Sequence, residues 1–306
     1  MQPSQSKILV RDDIDYLGIL LGTIAFALLT CVDTIFKLLM NGSHFAYELL
    51  FINGCFALVP ILIWLFITND FRALRTSQLP QHFARGVMGI MSALAAMYAY
   101  TRLPLADFYT IIFAGPLVAT ALSVLWLQEE VELTTWLAII VGFGGVLIAF
   151  SPSLISRAPN TLYLSYFSAL ISMLCYAISV TMVRFMRRGE SNVSFSFYSY
   201  TTAICLCAFA LIFNSRHEFL WHDFVLLMIS GSLSGVASLC LMTAYHRAKV
   251  MLIAPFQYSQ ILWGIIAGYV LWAELPGVHM IASALMVTGS GIIVLWRIHR
   301  NLRAVP

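Results

Sequence analysis

The stretch YLGILLGTIAFALLTCVDTIFKLLM, residues 16–40, decides the fold. At 1.5 Å per residue, a helix of this length crosses a bilayer core of roughly 30 Å, and its only formal charges are Asp33 and Lys37 near its far end. Nine further runs of the same character follow, approximately at 44–68, 83–101, 104–127, 133–150, 161–184, 193–213, 222–245, 252–272 and 277–297. The whole chain of 306 residues is 60% hydrophobic and 10% charged, whereas soluble domains carry about 45–50% apolar and about 25% charged residues. Backbone in lipid must satisfy its own hydrogen bonds. Runs this long do so as helices, not as the roughly ten-residue alternating strands of a barrel. The reading is an all-α membrane protein with ten transmembrane helices, and the lipid bilayer is its first partner. The first run is a retained helix and not a cleaved signal, because Asp12, Asp13 and Asp15 precede it and it exceeds the length of a signal's apolar region.

The charges give an orientation. With a cytoplasmic N-terminus, only Lys37, Arg102, Arg157 and Arg216 of the 17 Lys and Arg residues fall on the outer side. An excess of basic residues in short loops marks the cytoplasmic face. Both termini are therefore expected in the cytoplasm, with the protein multi-pass in the inner (plasma) membrane. The net charge of +3 implies no nucleic-acid partner, since the basic residues sit at helix ends as topology signals.

Residues 86–148 align without a gap on residues 231–293. The identities cluster: Met97, Ala99, Tyr100 and Arg102 match Met242, Ala244, Tyr245 and Arg247, and Glu129 matches Glu274. A repeat of five helices, an odd number, sends the second copy into the membrane with opposite orientation. Two inverted five-helix repeats are an architecture by which carriers alternate access, although channels also use it.

The residues that carry a family resemblance are Arg85-Gly86, the run Ala96-Met97-Tyr98-Ala99-Tyr100-Thr101-Arg102-Leu103-Pro104-Leu105-Ala106, Gly115-Pro116-Leu117, Glu129 and Trp136. This pattern resembles the EamA family of the drug/metabolite transporter superfamily, ten-helix type. Ala244-Tyr245 to Glu274, with Ala254-Pro255, looks like its second domain. The resemblance implies a first EamA-like repeat at 1–155 (helices 1–5), a second at 156–306 (helices 6–10), and transport of a small-molecule solute. Members often place a basic residue early in the second helix, where this chain has Asn53. Asp33-x-x-x-Lys37, Glu48 and residues 254–260 resemble the subset that includes S-adenosylmethionine uptake carriers; there the positions of Gln257 and Gln260 tend to be charged.

Ionisable residues inside spans are costly and usually face a cavity or a partner. Asp33 lies within the first run, with Lys37 one turn further out on the same face, so an i,i+4 pair can lower its cost. Glu48 enters the second run from the outer end. These groups read either as a polar cluster binding a charged or zwitterionic solute or a proton, or as interfacial side chains with Asp33 as their partner. In the sixth run, Ser165, Ser168, Ser172, Tyr176 and Ser179 share one sector. Such a stripe faces a wet cavity or glues two helices together. The ninth run opens with Pro255, Gln257, Tyr258, Gln260 and Trp263. Pro255 and Pro116 are candidate kinks, which either flank a site or only shape packing. The candidate substrate-binding set is Asp33, Lys37, Glu48, Asn53, Tyr98, Ser172, Tyr176, Gln257, Tyr258, Gln260 and Trp263. The pairs Gly18/Gly22, Gly231/Gly235 and Gly264/Gly268 have the GxxxG spacing of close helix packing.

Catalytic and cofactor motifs are absent from the sequence. His217-Glu218 has its next histidine at His222, off the face an HExxH zinc pair needs, and Gly142-x-Gly144-Gly145 follows no strand. The six cysteines show no CxxC spacing. No enzyme activity, metal or cofactor is expected. The resulting reading is a secondary transporter moving a small polar metabolite, an amino acid or amino-acid derivative, by alternating access, with protons or a counter-solute as coupling partners. The alternatives are a broad exporter of cationic or aromatic compounds and a non-transporting membrane accessory protein.

Overall fold

The structure is a computed structural model. It describes residues 16–40, 45–115, 117–119, 121–122, 133, 136–137, 140–145, 147–148, 160–186, 190–213, 220–247 and 257–304. Among them, nine α-helices have assigned bounds: α1 (Tyr16–Met40), α2 (Ala46–Thr68), α3 (Leu79–Tyr100), α4 (Leu105–Ile112), α5 (Asn160–Met186), α6 (Asn192–Phe213), α7 (Trp221–Arg247), α8 (Ser259–Trp272) and α9 (Val278–Ala304). The described residues contain no strand. Among the described residues, five stretches are long and apolar enough to cross a membrane: Leu17–Met40, Ala46–Thr68, Leu162–Val183, Val193–Phe213 and Trp221–Leu241. Large apolar side chains such as Ile67, Phe185, Ile212, Val270 and Leu285 stand fully outward on these and neighbouring helices. A lipid solvent explains that arrangement, since water would penalise each of them.

The helices of the first part of the chain pack chiefly on those of the second. α7 lies against both α1 and α2, α3 lies against α5 and α6, and α4 lies against α8, α5 and α9. Close approach depends on glycine where the sequence has the GxxxG spacing. A methyl group on Gly231 would stand 2.5 Å from the Asn53 carbonyl and the Phe56 Cβ, so α7 meets α2 backbone to backbone. On α8, a methyl group on Gly264 would stand 2.8 Å from the Tyr109 ring, which fixes how near α8 comes to α4. Van der Waals contact of this kind drives helix association in lipid, where no hydrophobic force separates helix from solvent.

Two helix ends position charged groups. α2 ends at Asn69 (φ 51°) and α8 at Ala273 (φ 53°), both left-handed. At the second, the Ala273 amide donates to the Gly268 and Tyr269 carbonyls and the Glu274 amide donates to Gly268 at 3.0 Å. The turn thereby satisfies the last carbonyls of α8 and holds Glu274 directly beyond the helix.

Candidate functional site

Asp33 and Lys37 do not serve each other. The Tyr109 hydroxyl, from α4, donates to Asp33 Oδ2 at 2.8 Å. Lys37 Nζ donates to Glu274 Oε1 and Oε2 at 2.9 and 2.8 Å and to the Leu103 carbonyl at 3.1 Å. The face of Trp272 lies 4.5 Å from the same ammonium. One turn of helix separates the two residues, but each finds a partner on a different element. Tyr109 is in turn held by rings, stacked on Phe113 with centroids 5.9 Å apart, and Phe113 meets Tyr258 edge-on at 5.3 Å.

Glu48 is buried and turns back on its own helix, where Phe45 N donates to Glu48 Oε2 at 3.2 Å and so finds an acceptor at the helix start. The Asn53 side chain donates to Ser230 Oγ at 2.8 Å and Ser234 Oγ at 3.3 Å, tying α2 to α7. Tyr98 lies under the Arg102 guanidinium at 4.6 Å from the ring centre. The serine stripe of α5 faces α3. Ser168 Oγ donates to the Ala95 carbonyl at 2.7 Å, and Ser172 and Ser92 each donate to the other's carbonyl at 2.9 Å. Polar atoms here join two helices, as small hydroxyl residues do within membranes.

The beginning of α8 differs. Gln257 donates to the Tyr176 hydroxyl at 3.3 Å, which brings together two candidates 81 residues apart. Tyr258 and Gln260 are buried. The Tyr258 hydroxyl, Ser259 Oγ and Trp263 Nε1 are buried with no hydrogen-bond partner among the described residues. Buried polar atoms are nearly always paired, so an accumulation of unpaired donors needs a physical reason. A binding site whose solute completes the bonds is one. Pro116 and Pro255 lie outside the described residues.

A second polar cluster joins the start of α3 to the segment before α6. His82 Nε2 is 3.0 Å from Glu190 Oε2, and Thr76 Oγ1 donates to Glu190 Oε1 at 2.7 Å. Burial raises the Glu190 pKa, but hydrogen bonds from His82, Thr76 and Ser194 outweigh it and hold the carboxyl below its ordinary value. Arg85, a turn further along α3, donates to the Phe195 carbonyl and Ser199 Oγ. Among the described residues, no group of three or more His, Cys, Asp or Glu side chains could hold a metal ion.

Sequence reasoning missed Tyr109, Asp107, Trp272 and the His82–Glu190 pair. Asp107 is the one with a signal in the sequence, an acid inside the apolar run 104–127. Glu274 stood out only as a repeat match.

Apolar spans whose interior holds charged and hydrogen-bonding side chains define a multi-pass membrane protein. The chain belongs to the EamA-like transporter family, whose sequence profile matches residues 16–151 and again residues 163–296. It is 24% identical over 270 residues to the S-adenosylmethionine uptake transporter of Rickettsia felis, covering 86% of this chain and 87% of that one. It is 24% identical over 283 residues to the pseudopaline exporter CntI of Pseudomonas aeruginosa, covering 88% and 93%. With the riboflavin transporter of Vibrio cholerae it shares 26% over 251 residues, covering 81% and 82%. A protein crystal structure matches the fold with a TM-score of 0.66 over 92% of this chain and 98% of that one, at 14% identity. The relatives named here are small-molecule transporters of the drug/metabolite type.

Proposed function

We propose that the protein is a secondary carrier of the inner membrane that moves an amino acid or amino-acid derivative by alternating access. Its halves, 1–155 and 156–306, would be inverted five-helix repeats that rock against each other, with both termini cytoplasmic. The observation that carries this reading is the set of unpaired donors at the start of α8, the Tyr258 hydroxyl, Ser259 Oγ and Trp263 Nε1, beside the Gln257–Tyr176 bond. Donors of this kind match a carboxylate or carbonyl on a solute. Groups of opposite charge nearer the outer end, Lys37 and Glu274 with Asp33 deeper, suit a zwitterion. The relatives support a small solute and differ among themselves in which one.

Purified protein in liposomes, offered labelled amino acids and S-adenosylmethionine with and without a pH gradient, tests the reading. Saturable uptake of one of them is expected, and Gln257→Leu and Gln260→Leu should raise its half-saturation concentration. Asp33→Asn keeps size and hydrogen bonding but cannot release a proton. Loss of gradient-driven accumulation with exchange retained would make Asp33 the proton carrier; loss of both would make it a solute ligand. A second reading, export of aromatic or cationic compounds, is favoured by the ring series Tyr109, Phe113 and Tyr258. Flux of such compounds, with amino acids refused, would establish it in place of the first. Protein that carries no solute at all would be an accessory membrane protein.

A further inference from the structure

The Lys37 side chain is 3% exposed, and its ammonium sits in a cage built by two segments far apart in the chain. Glu274, beyond the end of α8, gives two carboxylate oxygens, Leu103 gives a carbonyl oxygen, and Trp272 presents its ring face. Three oxygen acceptors match the three N–H bonds of a primary ammonium, and an indole face attracts cations. Asp107 stands in the first turn of α4, four residues beyond the Leu103 whose carbonyl accepts from Lys37. It is 7% exposed, and its Oδ1 has no hydrogen-bond partner among the described residues. One carboxylate thus holds the ammonium, and a second carboxyl on the neighbouring helix has an acceptor left over. A buried polar atom that lacks a partner is costly, so the surplus acceptor needs a use.

We propose that this cage is a recognition site for the primary ammonium group of a solute, and that Lys37 is a tethered occupant which the solute's ammonium displaces. The proposal rests on the reading above that the solute is amino-acid-like. None of the cage groups distinguishes a lysine side chain from a free alkylammonium ion, since all contacts are to the ammonium itself. Lys37 also ties α1 to the turn between α8 and α9. Its displacement therefore unties helices from the two matched segments in the same step that captures the solute.

The test is to empty the cage and refill it. Lys37→Ala leaves room for n-propylammonium, which has no carboxylate and so probes the ammonium site alone. Thermal unfolding of the purified full-length variant in detergent should shift upward saturably with n-propylammonium chloride, as for any ligand that binds only the folded state. Equal concentrations of sodium chloride or 1-propanol should give no such shift. The wild-type protein should need at least about ten-fold more of the ion, because its own ammonium competes at the high effective concentration of a tethered group. Adding Glu274→Gln or Asp107→Asn to Lys37→Ala should abolish or weaken the shift. If Lys37→Ala does not fold, Lys37→Met keeps the apolar stem, and the ammonium ion takes the place of n-propylammonium. No saturable shift, or a shift that survives loss of both carboxylates, overturns the proposal. The readout is binding in detergent, so it is separate from flux. A cage that binds while liposomes carry no amine supports this inference and removes the transport reading. Amine flux without binding at the cage does the reverse.

Discussion

Asp33 shows how one side chain depends on one partner. The acid lies in a spanning helix, and the Tyr109 hydroxyl answers it from α4. Tyr109→Phe removes that donor and leaves the ring in place. Polar contacts between membrane helices contribute about 0.6 kcal/mol on average and up to about 1.7, and a carboxylate acceptor belongs at the upper end. Chemical unfolding of the purified variant should show a loss of about 1–2 kcal/mol. Unchanged stability would mean that the bond contributes nothing. Glu190 gives a prediction in pH. Its carboxyl is held below the ordinary value of 4.5 by His82, Thr76 and Ser194, against the opposing effect of burial. A group with a depressed folded-state pKa stabilises fully above its unfolded value and loses that contribution as pH falls through the folded value. Glu190→Gln should therefore be less stable than the wild type at neutral pH, and the gap should close as pH falls below the ordinary carboxylate range and through the depressed folded-state value. A gap that persists into acid would show that shape, not charge, is what Gln fails to replace.

Packing between elements turns on single hydrogen atoms. Gly264→Ala would put a methyl group 2.8 Å from the Tyr109 ring, forcing α8 away from α4 or Tyr109 away from Asp33. Overpacking of this kind costs about 1–3 kcal/mol. Gly289, on α9, is the control, because a methyl group there meets nothing within 4 Å. In that open position alanine's better helix propensity should leave stability unchanged or raise it by up to about 1 kcal/mol. Equal effects at the two glycines would remove the close approach of α8 to Tyr109 as the reason for Gly264. The GxxxG spacing in the sequence pointed to close packing, and the structure shows Gly231 and Gly235 meeting α2 and Gly264 meeting α4. It could not have pointed to the serines of α5, whose sector fits a wet cavity as well as a neighbouring helix. Ser172 found Ser92 on α3, and packing made that choice.

At the scale of the molecule, helices of the first part pack on helices of the second, so a movement of one half against the other would run through the polar pairs that cross between them, among them Asn53–Ser230 and Ser92–Ser172. Lys37–Glu274 and His82–Glu190 both join residues from the two parts. Single-cysteine labelling in whole cells tests the orientation: residues 69–82, 185–192 and 298–306 should react only after the membrane is made permeable. Reaction of either terminus in intact cells would overturn the positive-inside reading. The sequence by itself determined that this chain lives in lipid and belongs to a transporter family. Composition, span length and the motif around Tyr98–Arg102 are properties of consecutive residues, and the bilayer acts on each span separately. Only the tertiary structure decided what each polar residue does. Lys37 bonds a glutamate 237 positions away in preference to its neighbour on the same helix, and Asn53 bonds serines 177 and 181 positions away. In lipid a polar side chain must take whichever partner packing brings within about 3 Å, and no local spacing along the chain encodes that distance.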